Sequence, residues 1–183
     1  MVYKFRIVSD EVENFKREIE IDADASFLDL RDAVCDSVGF SKNQMASFFI
    51  CEDGWEKGQE ITLEDMGSDS SEDVYLMDSS ILSDFVEDEG QRLIFVFDYL
   101  TDRAFFMELK KTVPGRSLEA PVCVASVGEA PAESVDLDDF DAKIDAKAAA
   151  AAANADIDED FYGSDEFNED EFDAAGYDEM TFE

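Results

Sequence analysis

QRLIFVFD, at residues 91–98, is a continuous apolar run with polar residues at both of its ends. Its β-branched and aromatic side chains, in a run too short for a typical helix, predict a central strand. RAFFMELKK, at residues 103–111, follows after a short gap and predicts the antiparallel neighbour of that strand. The fold is therefore expected to be built around a sheet that has these two segments near its centre.

The N-terminal residues predict a second pair of strands. Apolar residues alternate with charged ones at 3–7 and again at 15–21, and a period of two is typical of half-buried strands. Residues 10–14, which lie between the two segments, predict a hairpin turn. Residues 46–51 predict a further short strand.

Residues 27–38 predict the long helix of this region. Ser26 is a good N-cap, and Gly39 is a natural end for the helix. Apolar side chains fall on one face of the predicted helix, at Phe27, Leu30, Val34 and Val38. This face is expected to pack on the sheet.

Two shorter helical segments are also expected. Residues 62–66 predict a single helical turn, and Ser80 is expected to cap a short helix at 81–86. The order of elements predicts an α+β fold, mainly an antiparallel sheet with one long helix packed on it. A second helix and an acidic, largely extended C-terminal tail are expected to follow.

Composition divides the chain into a domain at residues 1–132, an alanine-rich helix at 133–155 and an acidic tail at 156–183. All three prolines lie between residues 114 and 131, and this stretch predicts a loop or linker. Residues 133–183 hold 2 basic and 19 acidic side chains, against 12 and 29 in the preceding domain. Half of the net charge therefore lies on little more than a quarter of the chain.

The acidic tail carries large aromatic residues at a regular spacing of five, namely Tyr162, Phe167, Phe172, Tyr177 and Phe182. On a helix this spacing turns consecutive rings about 140° apart, so they share no face. On a strand an odd spacing alternates faces. The pattern favours an extended segment whose rings anchor separately in a partner, and the alternative is a solvated, disordered tail with accidental spacing.

The charge of the chain excludes several classes of function. Its formal net charge is −34, so the sequence predicts no direct binding to nucleic-acid phosphate and none to an anionic membrane. The chain contains no histidine, which excludes Ser-His-Asp and Cys-His catalysis and histidine zinc sites. No cofactor-binding motif occurs, so no cofactor is expected.

Asp98 and Asp102 flank the gap between the two central segments. As paired carboxylates they are weak candidates for a divalent metal site or for acid–base chemistry. The simpler interpretation is a turn whose carboxylates accept hydrogen bonds from backbone amides. No residue is assigned a catalytic role.

Cysteine and tryptophan give weaker signals. Cys35, Cys51 and Cys123 are widely spaced, which favours reduced, mostly buried thiols in a cytoplasmic protein. Cys35 is not expected to be a catalytic thiolate, because the nearest cation in sequence is Arg31. Trp55 is interpreted as a packing residue, with a surface binding residue as the alternative.

Residues 1–132 resemble the plasmid open-reading-frame-three-like family, which includes transposon-passenger proteins of the TnpR-like type. The family signature Y-x-YDFGDxWxHxIxLe corresponds to residues 95–109 (FVFDYLTDRAFFMEL). Asp98 and Asp102 approximate its two aspartates, while its glycine, tryptophan and histidine positions carry other residues. The resemblance implies an α+β fold and an origin in a bacterium or a mobile element.

These observations predict a non-enzymatic, cytoplasmic interaction or adaptor protein. Its acidic aromatic tail is expected to bind a basic protein of the nucleic-acid machinery, such as a ribosomal, polymerase or recombination component. In one variant of this hypothesis, the tail mimics a nucleic acid in a strand-binding groove. The alternative is a divalent-metal-dependent enzyme, or a small-ligand-binding domain, that uses the loop of Asp98 and Asp102.

Overall fold

The computed structural model describes residues 1–65, 67, 73–135 and 145. Met1–Ser134 form one compact unit. Its elements, in chain order, are β1 (Val2–Ser9), β2 (Lys16–Asp22), α1 (Phe27–Val38), β3 (Ser47–Cys51), β4 (Lys57–Thr62), β5 (Tyr75–Leu76), a 3₁₀ turn (Leu82–Asp84), β6 (Arg92–Asp98), β7 (Arg103–Val113) and β8 (Val122–Val127).

The eight strands form one sheet, in the order β5-β4-β3-β6-β7-β1-β2-β8. Every neighbouring pair is antiparallel except β4 and β5, which are parallel. The predicted strands at 91–98 and 103–111 are confirmed as β6 and β7, the two central strands of the order. The α+β class is confirmed, although the described part of the fold is dominated by its sheet.

The helix α1 begins and ends where the sequence predicts. Ser26 accepts a hydrogen bond from the backbone N–H of Asp29, and the Asp29 carboxylate accepts one from the backbone N–H of Ser26. This reciprocal capping stabilises the first turn. Gly39 ends the helix with a φ of 74°, a left-handed conformation that glycine adopts without strain.

The main core lies between α1 and one face of the sheet. Phe27, Leu30 and Val34 of the helix are fully buried there. Phe105 of β7 lies among other rings, with its centroid 4.7 Å from that of Phe97 and 5.3 Å from that of Phe15. Within the described residues, many of the aromatic side chains therefore lie in this core, where each ring buries a large apolar area.

Three predictions about the local structure are wrong. Thr62 ends β4, and no helical turn follows at 63–65 because the chain bends there. The helix predicted at 81–86 is only the 3₁₀ turn Leu82–Asp84, and Ile81 precedes it without a side-chain cap. The stretch predicted as a loop at 114–131 contains β8, which Pro121 and Gly128 bound. Each segment bonds to a distant part of the chain: Leu63 donates to the Ala46 carbonyl, Leu82 donates to the Ala25 carbonyl, and β8 pairs with β2. These contacts override local propensity.

The helix predicted at 133–155 and the tail predicted at 156–183 lie outside the described residues, apart from residues 133–135 and 145. In the described part of the chain, no helix has the length and apolar character needed to cross a bilayer.

Candidate functional site

The sheet has a second face, opposite α1, that we call the open face. Strand alternation sends Phe49 of β3, Ile94 of β6 and Phe106 of β7 to this face, and the register places them side by side. Together with Cys51, Val96 and Ala104 they form a small apolar cluster that is separate from the main core. Part of the open face is therefore apolar.

Trp55 covers one end of this cluster. Its ring meets the Phe106 ring edge to face at a centroid distance of 5.1 Å, and the Arg92 guanidinium lies 5.0 Å from its centroid. The Trp55 side chain nevertheless remains 40% exposed. The predicted packing role of Trp55 is confirmed on the open face, and part of its ring stays exposed to solvent. A role in binding a partner stays a prediction.

A hydrogen-bonded trio on the open face links β3, β4 and the turn that follows β6. Ser47 is fully buried, and its hydroxyl donates to the Glu60 carboxylate at 2.7 Å. The Tyr99 hydroxyl lies against that of Ser47 and 3.3 Å from the same Glu60 oxygen. Burial, followed by the neighbouring Glu60 charge, raises the pKa of Tyr99, so the phenol keeps its proton near neutral pH.

Glu60 and Tyr99 of this trio line a cavity of about 480 Å³, which we call the tyrosine groove. The groove opens where β4 and β5 form an edge of the sheet. Its described lining residues are Phe49, Gly58, Gln59, Glu60, Thr62, Asp65, Asp73, Val74, Tyr75 and Tyr99. No lysine or arginine is among these described lining residues.

The tyrosine groove has the chemistry of a site for a cationic side chain. Glu60, Asp65 and Asp73 are exposed carboxylates, and Tyr75 and Tyr99 present aromatic surfaces. Carboxylates and ring faces both attract ammonium and guanidinium groups.

Lys57 lies beside the groove and already has both a carboxylate and an aromatic partner. Lys57 lies 2.9 Å from the Asp102 carboxylate, and its ammonium is 5.1 Å from the centroid of the Phe49 ring. Phe49 lines the groove, so one lysine of this chain already uses the combination of carboxylate and ring that the groove offers.

The loop between β6 and β7 has the hydrogen bonds of a turn. The Asp98 carboxylate accepts from the Leu100 N–H at 3.1 Å and from the Thr101 hydroxyl at 2.7 Å. Asp102 instead pairs with Lys57 and has a φ of 50°. The two carboxylates therefore have different partners. The hydrogen bonds that Asp98 accepts from the residues just after it are typical of a turn. In the described part of the chain, no group of three or more His, Cys, Asp or Glu side chains is placed to bind a metal ion.

The cysteines do not form a reactive site. Burial raises the pKa of the Cys35 thiol to about 11, and the nearby Arg31 offsets this only in part. Burial also raises the pKa of Cys51. Both remain thiols at neutral pH, which makes them poor nucleophiles. Cys123 is exposed on β8.

The tail residues predicted to bind a partner, Tyr162, Phe167, Phe172, Tyr177 and Phe182, lie outside the described residues. No local sequence pattern predicts the residues that line the tyrosine groove. Ser47 and Phe49 alternate with the core residue Phe48, and this alternation is the signal of a second face. Nothing local indicates that Glu60 and Tyr99 meet Ser47, because the pairing of β3 with β4 and β6 brings them together.

The fold and the groove define a sheet-dominated α+β domain that has a helix on one face and an open cavity at a sheet edge. The family model described as plasmid pRiA4b ORF-3-like protein matches residues 2–176. The chain therefore belongs to this family, as its sequence predicts, and the match continues beyond residue 132.

Two solved chains are similar in structure to this one. One is reported as the crystal structure of the protein of unknown function MM3350 from Methanosarcina mazei Go1, with a TM-score of 0.53 and 18% sequence identity over 68% of each chain. At this identity the likeness shows the fold alone. No curated protein matches the chain.

Proposed function

We propose that this chain is a non-enzymatic interaction protein that binds a basic partner protein. The observation that carries the proposal within the described domain is the tyrosine groove, which combines three exposed carboxylates with two tyrosine rings. Arginine and lysine side chains of a partner are the groups that such a groove attracts.

The tail supplies the second part of the proposed interaction. Residues 156–183 combine dense negative charge with five aromatic residues at a regular spacing. Long-range attraction would bring a basic surface to the tail, and the rings would then enter apolar pockets. A component of the nucleic-acid machinery is the proposed class of partner, because such proteins carry clustered lysine and arginine. The proposed compartment is the cytoplasm.

The metal-dependent alternative remains an untested prediction. Asp98 accepts hydrogen bonds from Leu100 and Thr101 within the β6–β7 turn, and Asp102 pairs with Lys57 of β4. These contacts give each carboxylate a protein partner. No observation on the described residues favours a second function over the interaction role.

A peptide titration tests the part played by the tyrosine groove. We expect octa-arginine to bind the full chain, and the variant Glu60→Gln/Asp65→Asn/Asp73→Asn to bind it about ten-fold more weakly. Three exposed ion pairs at about 0.5 kcal/mol each amount to about one factor of ten in affinity. Isothermal titration calorimetry at low and at physiological salt measures the effect.

A matched variant separates the groove from general charge. Glu13→Gln/Asp24→Asn/Glu119→Gln removes the same three negative charges from exposed positions elsewhere on the domain. Its affinity should stay within about two-fold of the parent chain. If both triple variants weaken binding equally, the groove has no special role.

A further inference from the structure

The strand β8 is an unusual sheet edge for so acidic a chain. No residue from 120 to 128 carries a charge, although 34% of the whole chain is charged. Val122, Val124 and Val127 are each nearly half exposed. β8 is the last strand of the sheet order, and within the described residues no strand pairs with its outer edge.

The opposite edge of the sheet is protected in the usual ways. β5 has two residues, and it is flanked in sequence by Asp73 and Asp78. Short strands and charged side chains prevent an edge from pairing with another chain. β8 has six residues with neither protection, so the two edges of one sheet differ in their capacity to recruit a further strand.

β8 is anchored to its own domain from the inner side. The buried Arg17 guanidinium donates to the Val127 carbonyl at 2.8 Å and to the Ser37 carbonyl of α1 at 3.2 Å. The bulge in the β2–β8 ladder leaves Val124 without a partner residue in β2. The strand is thus held in place, and among the described residues no strand covers its outer edge.

From these observations we infer that two copies of this chain pair through the outer edges of their β8 strands, antiparallel and about a two-fold axis. With the axis between residues 124 and 125, Val122 lies opposite Val127 of the second copy. Cys123 then lies opposite Ser126 of the second copy. Apolar side chains meet apolar ones and small polar side chains meet small polar ones, so the strand is complementary to itself.

The distribution of charge favours β8 as the place where a second copy joins. Two chains that each carry a net charge of −34 repel each other over most contacts. The uncharged stretch at 120–128 is where this repulsion is weakest. Pairing there continues one sheet across both copies and satisfies the backbone groups of both edges.

Sedimentation equilibrium of the full chain tests the inference. The expected mass is twice that of one chain, and it should fall to the mass of one chain in Val124→Lys, because a lysine on an edge strand opposes pairing. Leu100→Lys is the matched control. It adds the same charge at a position that is 84% exposed in the β6–β7 turn, and it should leave the dimer intact.

Disulfide cross-linking tests the register. Cα atoms of directly opposed antiparallel residues lie about 4.5–5.5 Å apart, within reach of a disulfide. Ser126→Cys should therefore give a covalent dimer through Cys123 when oxygen with copper–phenanthroline is the oxidant. A single-chain mass for the parent, dissociation in both lysine variants, or no cross-link in Ser126→Cys would each overturn the inferred pairing.

Discussion

Phe105→Ala is expected to lower the free energy of unfolding by about 4 kcal/mol, the largest effect of any single change considered for this chain. Phe105 is fully buried, and its ring lies within 6 Å of the centroids of Phe15, Phe40 and Phe97. Truncation removes this contact area and leaves a cavity that neighbouring rings, held by strands and helix, cannot fill.

Urea unfolding measures this loss. Trp55 is the sole tryptophan of the chain and lies in the described domain, so its fluorescence reports on that domain. Phe105→Leu should retain more than half of the lost stability, because it fills part of the cavity. Leu100→Ala, at an 84% exposed position, should change stability by less than about 0.5 kcal/mol. Equal effects at Phe105 and Leu100 would contradict this account of the core.

Arg103→Met is expected to cost about 3 kcal/mol, although the substitution nearly preserves side-chain volume. The Arg103 side chain is only 5% exposed. Its guanidinium donates to both Glu11 oxygens, at 2.7 and 2.8 Å, and to the Ala132 carbonyl at 2.6 Å. Removing the cation leaves a carboxylate and a carbonyl without the donor that compensates their partial burial.

Arg116→Met is the matched control for this change. Arg116 also pairs with a glutamate, at 2.9 Å from Glu20, but its side chain is 49% exposed. Exposed pairs contribute little, so the loss should stay below about 0.5 kcal/mol. Thermal or urea unfolding of the two variants compares them directly. If Arg103→Met and Arg116→Met lower the free energy of unfolding by similar amounts, burial is not the reason that the Arg103 contacts stabilise the fold.

The sequence predicts those parts of the fold whose signals are local. The helix α1 has its cap, its apolar face and its final glycine within fourteen consecutive residues, and the structure places both ends as predicted. The β1–β2 hairpin and the strands β6 and β7 likewise carry their own periodicity. Such segments need little information from distant parts of the chain.

The missed strands depend on pairing with other strands of the sheet. β8 gains its structure from pairing with β2, which lies a hundred residues earlier in the chain, and Arg17 bridges the two. β4 alternates poorly, and Gly58 within it approaches the Ile50 carbonyl so closely that a Cβ would lie 2.5 Å from that oxygen. Residues 57–62 therefore have no clear strand pattern of their own, and their pairing with β3 makes them a strand.

The tyrosine groove escapes prediction for the same reason. Ser47, Glu60 and Tyr99 lie on β3, on β4 and in the turn after β6, and only the sheet register brings their side chains together. The sequence predicts acidic and aromatic residues as the chemistry of partner binding. It places that chemistry in the tail, whereas the described domain carries a second set of the same residue types at a sheet edge.

The proposed interaction role is tested most directly by titrating octa-arginine into the full chain and into a variant in which alanine replaces Tyr162, Phe167, Phe172, Tyr177 and Phe182. This variant keeps every charge of the tail, so simple electrostatic attraction is unchanged. A control tail with the same composition but shuffled order removes the five-residue spacing alone.

If the rings anchor a basic partner, the alanine variant should bind about ten-fold more weakly than the parent chain at physiological salt. The shuffled tail should fall between them. Identical affinities for all three chains would contradict the account, because binding would then need the charge of the tail and none of its five regularly spaced rings.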